Sequence, residues 1–252
     1  MVAKPVISNA KYESTGETKT VFGITLHRIR AKAAIGNIAA GTLGGWIESE
    51  KNLAISGNAW VSDNAQVSGK ARVFGNAQVY GNARVFENAQ VSGNAWIYGN
   101  ALVSGTAHVS GNAQVYSNAQ VSGNANVYCD ALVSGNALVY GNALVSGNAW
   151  VSGNAQVSGD AWISGNALVC NDAGHIIVGP VGPENGYLTA FVERDGTIRV
   201  THEGFDGTID EFAAAMDDAY GDEPHGVVYQ LAIEMVRARF DATLAGSDDA
   251  MV

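Results

Sequence analysis

The residues of this sequence that could perform chemistry are five histidines and a few cations set among aromatic side chains. His108 could act as the general base of an acyl transfer, taking a proton from a hydroxyl or an amine. Gln, Arg and Leu occupy the equivalent positions of neighbouring segments, so we expect a surface side chain and predict no catalytic residue. His202 and His225, with carboxylates close in sequence, form a second constellation that could hold a metal or share a proton. Their spacing matches no metal motif, so we predict neither a metal nor a cofactor.

Cations and aromatic rings together predict a ligand site. Guanidinium groups form charge-assisted hydrogen bonds to phosphates, and aromatic rings stack on bases. The combination fits a phosphorylated, nucleotide-like ligand held in a cleft between chains. The candidate ligand-binding residues are Arg72, Phe74, Tyr80, Arg84, Phe86, Tyr98 and His108. The competing interpretation is that the cations only maintain solubility.

A six-residue repeat must position these side chains. Every sixth residue from Ala59 to Ala167 is alanine, and the residue two places after each alanine is valine or isoleucine. Alternation with period two indicates a short strand whose Ala and Val face one side. The Gly-Asn pairs that usually follow tolerate positive φ and indicate corners. Short strands joined by corners predict stacked coils around a continuous ladder of Val and Ala.

The repeat resembles that of the hexapeptide-repeat family, in which an aliphatic residue is followed four positions later by a small one, as Val61 is by Ala65. The resemblance implies a mainly β fold, a left-handed parallel β-helix of triangular section with three hexapeptides in each coil. We predict an N-terminal β cap with an irregular first coil over 1–56 and about six coils over 57–172. An acidic α+β domain with a frayed tail is expected over 173–252.

Local patterns predict the elements of the two ends. Alternating strands around turn residues indicate hairpins, and a Thr-x-x-Glu motif indicates the start of a helix. The predicted elements are a short hairpin over 17–32, a hairpin of 187–193 and 197–202, a helix that begins with the capping box of Thr208 and Glu211, and a helix over 227–240, with the last dozen residues frayed.

A KYE start, an LGGWIE segment, GNA-type repeats and a tail that contains GTIDEF and a later HG resemble the corresponding parts of uncharacterised hexapeptide-repeat proteins encoded by phages and prophages. This resemblance covers essentially the whole chain. It implies a location in the host cytoplasm, and it supplies no activity.

Three repeats to a coil place residues 18 positions apart on one outer face. One face then carries more aromatic side chains than the other two, and exposed columns of this kind are typical of contact surfaces. Hexapeptide proteins commonly assemble as trimers of parallel prisms, so the resemblance implies a homotrimer. The predicted interface residues are Trp60, Tyr80, Trp96, Tyr98, Tyr116, Leu132, Trp150 and Leu168. The competing interpretations are that the cap or the tail domain folds back over this face, or that the aromatic side chains only stabilise the sheet face as cross-strand ladders.

The net charge of −10 excludes a general basic nucleic-acid footprint. No apolar run approaches the roughly 18 residues of a membrane span, and residues 1–19 lack an apolar signal segment, so we expect a cytoplasmic protein without membrane contact. We predict a non-catalytic, trimeric binding protein that interferes with host defence by binding a host protein or sequestering a nucleotide signal. The alternatives are an acyltransferase-like enzyme and a virion or scaffold component.

Overall fold

The computed structural model describes residues 7–247, and for residues 242–247 it describes the helical backbone alone. The chain enters through an antiparallel hairpin of Tyr12–Val21 (β1) and Ile24–Ala31 (β2), and Leu43–Ile47 (β3) pairs with β2. A short 3-10 helix, Glu50–Asn52, follows. The hairpin expected over 17–32 is confirmed, but it begins earlier, because the pairing of the two strands continues back to Tyr12 opposite Ala31.

The main body is a parallel β-solenoid of about seven turns, which confirms the mainly β, coiled architecture expected from the repeat. Each strand has two residues, because a corner follows every Val or Ile. The strands are Trp60–Val61 (β4), Gln66–Val67 (β5), Arg72–Val73 (β6), Gln78–Val79 (β7), Arg84–Val85 (β8), Gln90–Val91 (β9), Trp96–Ile97 (β10), Leu102–Val103 (β11), His108–Val109 (β12), Gln114–Val115 (β13), Gln120–Val121 (β14), Asn126–Val127 (β15), Leu132–Val133 (β16), Leu138–Val139 (β17), Leu144–Val145 (β18), Trp150–Val151 (β19), Gln156–Val157 (β20), Trp162–Ile163 (β21) and Leu168–Val169 (β22).

These strands form three parallel sheets, one along each side of the solenoid. The first sheet runs from β4 through every third strand to β22, the second from β5 to β20, and the third from β6 to β21. The hairpin strands β1 and β2 and strand β3 extend the second sheet at its N-terminal end. Every solenoid strand before the last coil pairs with the strand one coil further on, as Trp96 does with Gln114, so the predicted stacking of residues 18 positions apart is confirmed.

The interior of the solenoid is an uninterrupted ladder of small and β-branched side chains. Each Ala from Ala59 to Ala167 and each Val or Ile from Val61 to Val169 has 0% exposure. The corners need positive φ, which glycine supplies at most of them and Asp63, Glu87, Ser117 and Cys129 supply at the others. Asparagines on the corners hydrogen-bond to one another along the axis, as Asn118 does with the asparagines one coil before and one coil after it, at 3.1 Å each. The backbone and corner side chains of one coil are therefore satisfied by the coils above and below.

The C-terminal domain is a four-stranded antiparallel sheet with two helices. Its elements are His175–Val181 (β23), Gly186–Val192 (β24), Ile198–His202 (β25), Phe205–Thr208 (β26), Ile209–Tyr220 (α1) and Pro224–Ser247 (α2). The predicted hairpin of β24 and β25 is confirmed. The capping box is confirmed as well, since the Glu211 amide donates to Thr208 Oγ1 and the Thr208 amide donates to the Glu211 carboxylate.

The second helix differs from its prediction at both ends. It begins at Pro224, because proline fits the first turn of a helix, and it continues through residue 247 instead of ending near 240. The frayed tail predicted for the last dozen residues stays a prediction, because only the helical backbone is described for residues 242–247 and residues 248–252 lie outside the described part of the chain.

The C-terminal sheet covers the last coils of the solenoid. Phe191 from β24 has 0% exposure and belongs to the solenoid core. The backbone of Trp162, which has no further coil to pair with, donates to Thr189 Oγ1 and accepts from Thr201 Oγ1, at 3.1 Å and 2.7 Å. The Asn166 amide donates to the Glu193 carboxylate at 2.9 Å. Side chains of the cap thus replace the missing next coil and protect an open sheet edge.

Candidate functional site

A groove lies between the β1–β2 hairpin and the second sheet, and we name it the hairpin groove. It has a volume of about 600 Å³. Hairpin residues form one wall and outward side chains of β5, β8 and β11 form the other, and the lining includes Val21, Phe22, Ile24, Leu26, Gln66, Ser68, Arg84, Phe86, Glu87 and Leu102. Most of the lining is apolar, with a single cation.

The hairpin is exposed at its tip and anchored near its base. Its tip turns through Phe22 and Gly23, both with positive φ, and leaves the Phe22 ring 86% exposed. Nearer the base, the Trp46 ring lies between two cations, with Lys19 Nζ 4.3 Å and the Arg28 guanidinium 5.4 Å from the ring centroid. Burial and the nearby Arg28 charge both lower the pKa of Lys19. Cation–π contacts on Trp46 therefore join both hairpin strands to the first irregular coil.

Arg84 is the polar centre of the hairpin groove. Its guanidinium lies 5.3 Å from the Phe22 ring centroid and 5.4 Å from that of Phe86, so the cation makes a cation–π contact with a hairpin ring and with a sheet ring. It has no ion pair within residues 7–241, whose side chains the structure describes. The neighbouring Glu87 carboxylate accepts a hydrogen bond from the Gly105 amide at 2.6 Å. Arg84 thus contacts two aromatic rings while its N–H donors remain available to an anion.

The seven predicted ligand-binding residues lie on three different sheets of one chain. They are expected in a cleft between chains, so their common site stays a prediction. Arg84 and Phe86 lie in the hairpin groove, Tyr80 and Tyr98 lie on the first sheet, and Arg72, Phe74 and His108 lie on the third. Arg72 repeats the cation–π contact of Arg84, with its guanidinium 5.6 Å from the Phe74 ring, outside the hairpin groove.

Phe22 is a site residue that the sequence analysis missed. It belongs to the turn of a hairpin and carries no repeat signal, so its sequence position does not indicate that its ring reaches Arg84. The available signal was a bulky aromatic residue directly before Gly23 at a predicted turn, where exposed apolar side chains are uncommon.

The first sheet carries a row of aromatic side chains that we name the aromatic column. Its members are Tyr80, Trp96, Tyr98, Tyr116 and Trp150. The rings of Tyr80, Tyr98 and Tyr116 stack in parallel with centroids 4.9 Å and 5.0 Å apart. Burial raises the pKa of the Tyr80 and Tyr98 hydroxyls. Trp96 and Trp150 are 45% and 38% exposed, so the column presents both stacked and open apolar surface.

Trp60 is not part of this exposed surface, and its prediction as an outward interface residue is wrong. It is 1% exposed. A side chain at Gly44 would come within 2.7 Å of the Trp60 ring, so the glycines of the LGGWIE segment let β3 pack directly over it. The N-terminal cap thus covers the first coil of this face, as one of the competing interpretations expected. Leu132 and Leu168 are half-buried lower on the same sheet.

The two C-terminal histidines have different surroundings. His202 is 4% exposed, its Nε2 lies 3.0 Å from the Tyr229 hydroxyl, and its ring meets Phe212 edge-on. His225 is exposed and contacts Tyr220. A chain of rings through Tyr229 and Tyr220 separates the two imidazoles. Within the described residues no group of three or more His, Cys, Asp or Glu side chains is arranged to hold a metal ion.

His108 lies in the third sheet between Gln90 and Asn126 and is exposed. A general base is usually oriented by a carboxylate or a carbonyl, whereas the in-register neighbours of His108 are amide side chains. The side chain therefore has the surroundings of a surface residue.

Comparison with known proteins supports the solenoid. Five segments match the model of the YdcK beta solenoid repeat family, at residues 77–93, 89–105, 95–111, 131–147 and 137–153. All of them lie inside the repeating body, and together they cover less than half of the chain. No curated protein matches the sequence. None of the helices in the described part of the chain is long and apolar enough to cross a membrane.

Proposed function

We propose that this protein is a non-catalytic binding protein of the hexapeptide-repeat type, whose left-handed helix serves as a rigid support for a ligand site. The observation that carries the proposal is Arg84, in cation–π contact with both Phe22 and Phe86 beside an apolar groove of about 600 Å³. The site suits a small anion with an aromatic or apolar body. The anion would accept hydrogen bonds from the guanidinium, and the body would lie on the hairpin wall.

The resemblance to phage and prophage proteins supports a nucleotide as the biological ligand of this class. A nucleotide carries both a phosphate for Arg84 and a base for the phenylalanine rings. In the host cytoplasm, a phage protein with such a site sequesters a nucleotide signal or binds a host protein and so interferes with defence.

Isothermal titration with cyclic nucleotides and adenine nucleotides tests the ligand. We expect binding by at least one member of the panel, and Arg84→Gln should weaken it by about tenfold or more because a charge-assisted bond is lost. Arg72→Gln is the matched control, since that arginine makes the same kind of ring contact outside the groove. Silence across the panel, or equal losses in both variants, would contradict the proposal.

The aromatic column favours a second element of function, self-association as a homotrimer. Two tryptophans more than a third exposed lie on the same sheet as three stacked tyrosines, and exposed apolar side chains grouped in this way are typical of contact surfaces. Trp96→Ser with Trp150→Ser should convert the assembly to monomers in sedimentation velocity. Tyr140→Ser is the control, because Tyr140 is 39% exposed on the second sheet. A wild-type monomer at micromolar concentration would exclude the trimer.

The other two functions expected from the sequence are an acyltransferase-like enzyme and a virion or scaffold component. The first depends on His108, whose amide neighbours do not favour it. The second would be supported by copurification of the protein with particles.

A further inference from the structure

Helix α2 is apolar on two opposite sides. One side packs into the C-terminal domain through Tyr229, Ile233, Val236 and Phe240, all between 0% and 6% exposed. The other side carries a row of large apolar residues that we name the α2 stripe. Its members are Val227, Val228, Leu231 and Met235, which are 44%, 42%, 59% and 53% exposed. Their spacing of three and four residues places them in one line along the helix.

This pattern differs from that of an ordinary surface helix, which has one apolar stripe toward the core and polar residues opposite. Single exposed apolar residues are normal, but four of them in one line form a continuous surface. Nothing in the folding of the C-terminal domain requires the stripe, because the opposite side of α2 already supplies its core contacts. The stripe therefore has the composition of a helix-binding surface.

A groove between α1 and α2 lies on the side of α2 that carries Gln230, Glu234 and Arg237. It has a volume of about 350 Å³ and includes apolar side chains of Ala213, Met216 and Ile233. Two carboxylates, Asp217 and Glu234, also line it, and neither forms an ion pair within the described side chains. The cation of the groove, Arg237, is held by Asp210 at 2.7 Å. The groove thus offers negative charge beside apolar surface.

The C-terminal domain as a whole is also negatively charged. Residues 173–252 contain 15 acidic and 4 basic residues. Arg199 is paired with Asp206 and Glu193, and Arg194 donates to the Asn148 carbonyl oxygen. Two copies of this domain would repel each other, whereas a basic partner would be attracted. Charge complementarity therefore selects a cationic occupant over a second copy.

We propose that the α2 stripe and the α1–α2 groove bind a basic amphipathic α-helix of a partner protein. The apolar side of that helix covers Leu231 and Met235, and its Lys or Arg side chains reach Asp217 and Glu234. This surface lies on the C-terminal domain, apart from the hairpin groove, so the inference does not depend on the ligand proposed there.

A model peptide provides the probe. It contains only Leu and Lys, is about 18 residues or about 27 Å long as a helix, and places all Leu on one helical side. Fluorescence anisotropy of the labelled peptide with the full chain should show binding that weakens as salt increases. Leu231→Ser with Met235→Ser should weaken binding by about tenfold or more, and since both residues are exposed the fold should persist. A peptide of the same composition with Leu scattered around the helix should bind much more weakly.

Two matched variants separate a specific surface from general attraction. Asp217→Asn with Glu234→Gln removes the groove carboxylates, and Glu184→Gln with Asp195→Asn removes the same charge from exposed positions elsewhere in the domain. We expect the first pair to weaken binding several-fold more than the second. Equal effects of the two pairs, or equal binding of the two peptides, would overturn the proposal. It would also be overturned if Leu231→Ser with Met235→Ser changed the oligomeric state and left peptide binding unchanged, because the stripe would then contact a second copy.

Discussion

The repeating middle of the solenoid and its two ends satisfy the same backbone groups in different ways. In the middle, the Gln114 amide donates to the Ala131 carbonyl oxygen of the next coil at 2.9 Å, and every coil repeats this arrangement. At the ends, side chains take over: Asn52 donates to the carbonyl oxygens of Gly69 and Ala71, and Glu48 accepts from the Gly69 amide. The middle is therefore specified by its own period, whereas each end depends on individual side chains that do not belong to the repeat. Both candidate surfaces that we emphasise, the hairpin groove and the α2 stripe, include elements of an end.

Removing a side chain that anchors one end of the solenoid tests this comparison with the largest expected loss of stability. Phe191→Ala removes a fully buried ring by which the C-terminal sheet joins the solenoid core. We expect a loss of about 3–5 kcal/mol in the free energy of unfolding, together with greater aggregation as the last sheet edge is uncovered. Urea unfolding and light scattering measure the two consequences.

Tyr187→Ala is the control for Phe191→Ala, because Tyr187 lies on the same strand and is 44% exposed. We expect a change of less than about 1 kcal/mol for it. If Phe191→Ala were equally mild, the C-terminal sheet would not be needed to close the solenoid.

A smaller effect distinguishes a corner in the middle from one at the end. Gly111 and Gly159 have nearly the same φ, 67° and 62°. A side chain at Gly111 would come within 2.7 Å of the Cys129 amide nitrogen, whereas one at Gly159 would meet nothing within 4 Å. Gly159→Ala should therefore lose about 1–2 kcal/mol from the positive φ alone, and Gly111→Ala should lose more because a coil must also shift.

Urea unfolding of the two alanine variants measures this difference directly. Equal losses would mean that the coils adjust freely along the axis, so that stacking does not distinguish the middle from the end.

The sequence predicts the middle of this fold far better than its ends, for a physical reason. Periodicity determines which side chains face inward and which residues stack, so the Ala and Val ladder and the Tyr80, Tyr98 and Tyr116 stack follow from spacing alone. Periodicity does not tell which other segment of the chain packs over an outward-facing residue. Trp60 is therefore buried against the prediction, and Arg84 acquires a second ring from Phe22. Those contacts depend on how a non-repeating hairpin and strand fold back, which no local pattern encodes.

The α2 stripe is a related case. Apolar residues lie on two opposite sides of this helix, and the sequence pattern alone does not tell which side packs against the domain. Only the packing of Tyr229 and Phe240 into the core identifies Leu231 and Met235 as the exposed side.

A further predicted effect concerns a titrating group at the N-terminal end. Lys11 Nζ donates to the carbonyl oxygens of Ala54 and Gly57 at 2.9 Å and 3.1 Å, and burial lowers the pKa of Lys11 from 10.5 to about 8. Below about pH 8 both the folded and the unfolded chain carry this proton, and the folded chain bears the full cost of burying the charge. Between pH 8 and 10.5 the unfolded chain holds the proton that the folded chain has released, so stability rises with pH across this window.

The neighbouring Tyr12 limits the useful range. Burial raises the pKa of Tyr12 to about 12, so above about pH 10 the folded chain holds the extra proton and stability falls as pH increases further. Between pH 8 and 10 the tyrosine has little effect, but Lys19, whose pKa is also lowered, contributes to the same rise, so Lys11→Met should reduce the rise in melting temperature without abolishing it. Lys32→Met, at an exposed lysine of the same cap, should leave the rise intact. If the melting temperature of Lys11→Met rose with pH as steeply as that of the wild type, the pH dependence would come from groups other than Lys11. The buried lysine would then not distinguish the N-terminal end of the solenoid from its middle.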